Sequence, residues 1–143
     1  TFNPEILIRS ILGPARGDIR PLAYAVDLTA NRLFIQHMVM DDLQLIKDIY
    51  YETARIIRQE PKSTTRRVER LANRCRDKIV AEDWVLQYTG KPVSDIDSPR
   101  TMILYLAVYA YFGRPYYDVP AERPDLFTGQ VPSPSPPQSC RRP

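Results

Sequence analysis

The sequence predicts an all-α fold, a small bundle of about four to five helices with an extended proline-rich tail. Apolar residues recur at helical spacing, proline follows a capping residue at two candidate helix starts, and glycine is scarce, with five in 143 residues. The tail prediction rests on residues 128–143, where proline and serine dominate and Val131 is the one sizeable apolar side chain. We therefore expect a helical domain over residues 1–127 and an extended tail over residues 128–143.

The first helix should begin at Pro4 and end at Gly13. Asn3 is a suitable N-cap, and Glu5 would face the positive end of the helix dipole.

Residues 21–40 are ambiguous between helix and strand. Leu22, Val26 and Leu33 fit a helical stripe, whereas Tyr24, Val26 and Leu28 fit strand alternation and would allow a short hairpin around residues 22–39. We favour helix, since the segment has no glycine and its charges are widely spaced.

Two helices should follow, joined by a polar turn. The first runs from a cap at Asp41 or Asp42 to about Gln59 and ends before Pro61. Its predicted core stripe consists of Leu43, Ile46, Ile49, Tyr50, Thr53, Ile56 and Ile57. Residues 62–65 would then form the turn and cap of a helix from about Arg66 to Tyr88, with Val68, Leu71, Cys75, Ile79 and Leu86 on its apolar face.

A strongly basic stretch, residues 55–78, covers the junction of these two helices. It carries nine cations and three anions, whereas the net charge of the whole chain is only +3. On a helix, Arg66, Arg70 and Arg74 would share a face with Arg67 and Lys78 within about 120°. Arginine, which outnumbers lysine in this chain, suits bidentate contacts with phosphate. The residues predicted to bind nucleic acid are Arg55, Arg58, Lys62, Arg66, Arg67, Arg70, Arg74 and Lys78.

A helix from Arg100 to Phe112, capped by Ser98 and Pro99 and closed by Gly113, should be apolar on every side. Such a helix lies either in the core or between subunits, and it is too short to span a membrane. Residues 114–127 should wrap over a surface. The predicted assembly interface consists of Met102, Tyr105, Leu106, Tyr109, Phe112, Tyr116 and Tyr117.

Catalytic and cofactor motifs are absent from the sequence. It has no phosphate-binding glycine loop, zinc spacing or nucleophile elbow, so we expect no enzyme activity, cofactor or metal. We expect His37, the sole histidine, to be packed or hydrogen-bonded. The acidic pairs 41/42, 82/83 and 95/97 are better explained as caps, a helix edge and a loop. The pairing of Cys75 and Cys140 stays open. Tyrosines could stack on bases, but core and interface roles are the stronger expectation.

These observations favour a non-enzymatic structural protein that coats or packages nucleic acid through sequence-tolerant backbone contacts. DNA is favoured over RNA as the nucleic acid. It would self-assemble with copies of itself or a related subunit. The alternative is an adaptor or assembly subunit whose basic patch meets an acidic protein. We expect no secretion signal, because Arg9 interrupts the first apolar stretch. The expected location is a virion or an intracellular nucleoprotein assembly.

In size, helical character, local arginine basicity and a Tyr/Pro-rich apolar C-terminal part, the chain resembles the coat (major capsid) proteins of filamentous DNA viruses of hyperthermophilic archaea. The resemblance covers overall character across residues 1–127, and no functional residue is carried over from it. It implies helical subunits that wrap and enclose viral DNA, commonly in pairs. The Ser/Pro tail with Cys140 departs from that family.

Overall fold

Six α-helices make up the protein over the residues that the structure describes, and the all-α prediction is confirmed. The structure, a computed structural model, describes residues 3–14, 17–38, 44–92, 96 and 98–119, with backbone only at 45 and 46. The helices are α1 (Pro4–Leu12), α2 (Arg20–Ala30), α3 (Tyr51–Ile57), α4 (Pro61–Ala81), α5 (Val85–Thr89) and α6 (Pro99–Phe112). A π-helical segment, Asn31–Ile35, continues α2, and another, Leu45–Tyr50, leads into α3. The predicted tail lies outside the described residues.

Helix α1 forms as its sequence predicts. The Asn3 side chain accepts hydrogen bonds from the backbone N–H groups of Glu5 at 2.8 Å and Ile6 at 3.4 Å. Gly13 ends the helix with φ 74°, and its N–H donates to the carbonyl oxygen of Arg9 at 2.8 Å. Both ends of α1 therefore satisfy backbone groups that a helix terminus leaves unpaired.

The ambiguous segment is helical, so the favoured reading is confirmed and the hairpin is wrong. The helical stripe of Leu22, Val26 and Leu33 is fully buried, whereas Tyr24 is 39% exposed. Burial thus follows the helical period rather than strand alternation. The helix ends at Ile35, and His37 follows in the left-handed region with φ 58°.

The next helix keeps part of its predicted core stripe. Ile49, Tyr50 and Thr53 are buried, but Ile56 is 39% exposed, so its placement in the stripe was wrong. Within α3 the buried residues are Thr53 and Ala54, and Ile56 lies about 110° around the helix from their midpoint. Arg58 ends α3 in the left-handed conformation. The predicted caps at residues 41 and 42, and Leu43, lie outside the described residues, as does the side chain of Ile46.

Helix α4 begins earlier and ends earlier than predicted. Residues 62–65 are not a turn: Pro61 occupies the first helical position and Glu60 is the cap. Proline has no N–H to satisfy there and its φ suits a helix start. At the other end, Asp83 adopts φ 60° and separates α4 from α5. This break rotates Leu86 out of the apolar face, which leaves it 61% exposed.

The helix predicted between Ser98 and Gly113 is confirmed as α6 and lies at the centre of the core. It packs against α1, α2 and α4. Seven of its residues are buried: Met102, Ile103, Tyr105, Leu106, Ala107, Val108 and Ala110. Between the two locations that an all-apolar helix allows, α6 therefore occupies the interior of its own chain. None of the described helices is long and apolar enough to cross a bilayer.

A tyrosine-rich turn after α6 folds back over α5 and α6. The Tyr117 N–H donates to the carbonyl oxygen of Thr89 at 2.8 Å, and the hydroxyl groups of Tyr117 and Tyr105 are 3.2 Å apart. The Tyr116 ring meets that of Tyr105 with centroids 5.1 Å apart. Residues 114–119 therefore cover the core as a wrapping segment, and residues 120–127 lie outside the described part.

Cys75 is a buried free thiol on the inner face of α4. Burial raises its pKa to about 12, so the unreactive thiol form dominates at neutral pH. Its role in this fold is packing.

Gly90 should tolerate no side chain. It adopts φ 91°, and a Cβ atom there would lie 3.1 Å from Asp118 Oδ1 and 3.2 Å from Pro115 Cβ. We expect Gly90→Ala to lower the free energy of unfolding by about 2 to 4 kcal/mol, through left-handed strain and crowding of the tyrosine-rich turn. Urea denaturation measures this change.

Gly17→Ala is the matched control. Gly17 has φ 101° but open space around its added Cβ, so this variant should lose only about 1 to 2 kcal/mol. Equal losses in the two variants would show that crowding at Gly90 contributes nothing.

Candidate nucleic-acid interface

Helix α4 orients the predicted arginines by burying its opposite side. Val68, Cys75 and Ile79 are fully buried against the core. Since a helix turns by about 100° per residue, this anchoring directs the neighbouring face outward. The four predicted arginines of that face, Arg66, Arg67, Arg70 and Arg74, are all exposed.

Two other predicted cations precede this face in the chain. Arg58 ends α3 and Lys62 follows the first residue of α4, and both side chains are exposed. Lys62, which the sequence placed in a turn, is in the helix and lines a groove with Arg66.

Three cations of the basic stretch are engaged by carboxylates. The ion pairs are Arg55 with Glu52, Arg76 with Asp77 at 3.0 Å, and Lys78 with Glu82 at 3.2 Å. Among the described residues, the other six cations make no ion pair: Arg58, Lys62, Arg66, Arg67, Arg70 and Arg74. The candidate interface therefore narrows to these six, which we call the arginine face.

The amino terminus of α4 is already occupied by its own cap. The Glu60 carboxylate accepts hydrogen bonds from the N–H groups of Lys62 at 3.1 Å and Ser63 at 2.9 Å. These bonds lower the pKa of Glu60. A phosphate could bind these N–H groups only by displacing the Glu60 carboxylate. We therefore expect the side chains of the arginine face, rather than the helix terminus, to contact an anion.

A groove of about 170 Å³ runs along the middle of the arginine face. Arg67, Arg70 and Arg74 line it together with Gly17, Asp18 and Leu71. The Asp18 carboxylate accepts hydrogen bonds from the Arg20 guanidinium at 2.8 Å. That contact, with the charge of Arg67 as a smaller cause, lowers the pKa of Asp18, so one negative charge remains beside three arginines.

A second groove, of about 300 Å³, lies at the end of the arginine face nearest the start of α4. Its lining is Tyr51, Lys62, Thr65 and Arg66. Tyr51 is 50% exposed and was not predicted as a site residue. The sequence did contain a signal for it, because Tyr51 directly follows the predicted stripe residue Tyr50 and so falls on another face of the helix.

The residues predicted as an assembly interface are used largely within the chain. Met102, Tyr105 and Leu106 are at most 5% exposed. The remaining four, Tyr109, Phe112, Tyr116 and Tyr117, are partly buried and pack against the same core. Self-association stays a prediction, and the structure gives the buried members of this set an internal role.

Of the residues considered for acid–base chemistry, the structure describes His37, Glu82 and Asp83. His37 was predicted to be packed or hydrogen-bonded; it is exposed, which contradicts the first of these alternatives. Glu82 and Asp83 are exposed in the turn after α4, and the acidic pairs 41/42 and 95/97 lie outside the described residues. In the described part of the chain, no three His, Cys, Asp or Glu side chains are placed to hold a metal ion.

No protein-family model, no curated protein and no solved structure matches the chain. A functional interpretation therefore rests on the residues and geometry described above.

We expect Glu60 to titrate below the ordinary pKa of a glutamate, because its ionised form caps α4. A lowered pKa in the folded state means that the cap stabilises the protein above the unfolded pKa, and that this stabilisation is lost as the pH falls through the folded pKa. The side-chain carbon shifts of Glu60, followed by NMR from pH 7 to pH 2, measure this pKa.

Amide exchange at Ser63 provides a second readout of the same cap. Exchange should accelerate in Glu60→Gln at neutral pH, whereas Glu82→Gln, at the opposite end of α4, should leave it unchanged. A Glu60 midpoint at or above the ordinary value would contradict the assignment of this carboxylate as the cap.

Proposed function

We propose that this protein is a non-enzymatic, helical nucleic-acid-binding protein that contacts the phosphate backbone through the arginine face. The observation that carries the proposal is the set of six exposed cations without ion pairs on α4 and the end of α3. Surface cations in proteins are commonly neutralised by carboxylates at i+3 or i+4, as Arg55 and Lys78 are here. The arginine face keeps its charge available for a polyanion.

The spacing along α4 also suits a phosphate backbone. Arg66, Arg70 and Arg74 repeat every four residues, so they follow one another at about 6 Å along the helix axis. Arg67 directly follows Arg66, Lys62 lies one turn before Arg66, and Arg58 ends α3. With six such cations, we take about five phosphates to be neutralised by one subunit. Guanidinium groups bind phosphate oxygens in pairs without reading base identity, so binding should be sequence-tolerant.

Coating or packaging of nucleic acid, as in the viral coat proteins that the sequence resembles, is the role we propose for such contacts. Neutralisation without sequence preference lets successive subunits occupy any stretch of a long polymer. Copies of the same chain, or of a related one, would then lie side by side on the nucleic acid.

The salt dependence of binding tests the proposal directly. With about five phosphates neutralised, the logarithm of the association constant should fall with the logarithm of salt concentration at a slope of about −4 to −5 on duplex DNA. The variant Arg66→Glu/Arg70→Glu/Arg74→Glu should bind far more weakly, with a slope flattened by about 3. Fluorescence anisotropy over a salt series, with duplexes of unrelated sequence, measures both.

A matched control reverses three exposed cations on other helices, Arg9, Lys47 and Arg100. It changes the net charge equally, so it should weaken binding only slightly and keep the steep slope. Equal losses of DNA affinity in the two triple variants would show that binding depends on net charge and not on the arginine face. Salt-independent binding, or no binding by wild type, would contradict the proposal and favour an acidic protein as the partner.

Removing the carboxylate beside the arginine face should tighten binding. Asp18 lies in the groove with Arg67, Arg70 and Arg74, where its charge opposes that of an approaching phosphate. We expect Asp18→Asn to raise the affinity for DNA at low salt by about twofold to threefold, since screened surface charges interact weakly.

Asp27→Asn is the control for this change, because Asp27 is an exposed carboxylate in a groove that contains none of the arginine face. Its affinity should equal that of wild type. Weaker binding by Asp18→Asn would show that Asp18 serves to hold the site together rather than to oppose phosphate.

A further inference from the structure

One exposed aromatic ring lies among the cations of the arginine face. Tyr51, the first residue of α3, is 50% exposed and shares the groove of about 300 Å³ with Lys62, Thr65 and Arg66. Thr65 is held in place, since its hydroxyl donates to the carbonyl oxygen of Pro61 at 2.9 Å. The groove therefore combines an aromatic ring, a hydrogen-bonded threonine and two exposed cations.

Most of the other tyrosines that the structure describes are buried or pack on aromatic neighbours. Tyr50, Tyr88 and Tyr105 are buried, and Tyr116 and Tyr117 pack on Tyr105. Tyr51, by contrast, makes no ring contact with another aromatic side chain in the part of the chain that the structure describes. Its exposed surface is open to a ligand.

The charge around Tyr51 separates it from the other exposed tyrosine. Tyr24 is 39% exposed and lines a groove with two carboxylates and one cation, Glu5, Asp27 and Arg20. The Arg20 guanidinium is already paired with the Asp18 carboxylate at 2.8 Å. An anionic ligand would be repelled from that groove, whereas the lining of the Tyr51 groove carries two positive charges and no carboxylate. Of these two grooves, the Tyr51 groove is the one that suits a ligand with both an aromatic ring and a negative charge.

We propose that the Tyr51 groove is a nucleobase-stacking site, at which a base of single-stranded nucleic acid stacks on the Tyr51 ring while Lys62 and Arg66 contact the adjoining phosphates. This inference rests on the proposed function, to which it adds a preference for unpaired bases. Every base has a π face, so stacking on a tyrosine keeps the binding sequence-tolerant.

Single-stranded ligands fit this arrangement better than duplexes. In a duplex each base is stacked on its neighbours, so the Tyr51 ring reaches none of them unless a base is flipped out at a cost of a few kcal/mol. In a single strand the bases are accessible, and an aromatic platform beside a basic track is the usual arrangement in proteins that bind it. The groove volume of about 300 Å³ is at the lower end for small-molecule sites, which suits one nucleotide.

The experiment compares Tyr51→Ala and Tyr24→Ala in binding to a fluorescein-labelled dT20 oligonucleotide and to a 20-base-pair duplex. Tyr51→Ala should bind dT20 roughly 5-fold to 100-fold more weakly than wild type, the range found when one stacking residue is removed. Its salt slope should match that of wild type, because no charge is lost. Its duplex affinity should change by less than about twofold, and Tyr24→Ala should match wild type on both ligands.

The ring itself is tested by variants that keep it. Tyr51→Phe should restore binding to dT20, since stacking needs the π face and not the hydroxyl. In Tyr51→Trp, made in a Trp84→Phe background, the new indole should be quenched by dT20 and not by duplex. This fluorescence readout keeps the test decisive if Tyr51→Ala unfolds.

The possible results separate this proposal from the one on which it depends. Unchanged dT20 binding by Tyr51→Ala, or equal losses on dT20 and duplex, would overturn base stacking while leaving the arginine face as a phosphate-binding surface. Absence of salt-dependent binding by wild type to either ligand would overturn both proposals. Selective loss of dT20 affinity with an intact salt slope supports both.

Discussion

The burial of one side of α4 is the constraint on which the rest of the structure depends. Val68, Cys75 and Ile79 have no exposed surface, and burying an aliphatic side chain stabilises a fold by about 1.5 to 3 kcal/mol. This helix contacts α1, α2, α3 and α6, so its rotation about its own axis is set by several neighbours at once. Because the rotation of α4 is fixed, its arginine residues point toward solvent. If α4 were free to rotate, the same arginines would not stay on one exposed side of the protein.

Much of the fold was predictable because its helix ends are decided locally. Asn3 and Ser98 accept hydrogen bonds from backbone N–H groups one turn into their helices, and such capping is visible in sequence. The start of α4 was missed because glutamate is an uncommon N-cap, and the break after α4 was missed because Asp83 adopts a left-handed conformation that its residue type does not demand. Leu86 was misplaced because this break shifts every later position relative to α4. The exposure of the four arginines on α4 follows from their spacing relative to the buried face. The groove that brings Tyr51 of α3 together with Lys62 and Arg66 of α4 depends on tertiary packing and was not predictable from spacing.

The position of α6 changes how self-assembly has to be considered. An all-apolar helix satisfies the requirements of an interface and of a core equally well in sequence, and here its largest residues are covered by the chain itself. An interface between copies would therefore use other surfaces. Exposed aliphatic side chains remain on five helical segments, at Ile6, Ile35, Ile56, Val80 and Leu86. Scattered exposed residues of this kind are normal on protein surfaces. Nucleic acid that holds neighbouring subunits together would supply an assembly force that does not require a large apolar patch.

The arginine face carries a cost that a polyanion would remove. Arg66, Arg70 and Arg74 are spaced at i, i+4 and i+8, and each like-charged i, i+4 pair destabilises a helix by about 0.2 to 0.5 kcal/mol. Asp77 in α4 and Glu82, its C-cap, form ion pairs with Arg76 and Lys78. No such ion pair is formed by the three arginines at i, i+4 and i+8 in the described part of the chain. A ligand that binds only the folded state stabilises it in proportion to its occupancy. Repulsion among these arginines in the free protein would then become attraction to phosphate in the complex, which links the stability of α4 to the presence of nucleic acid.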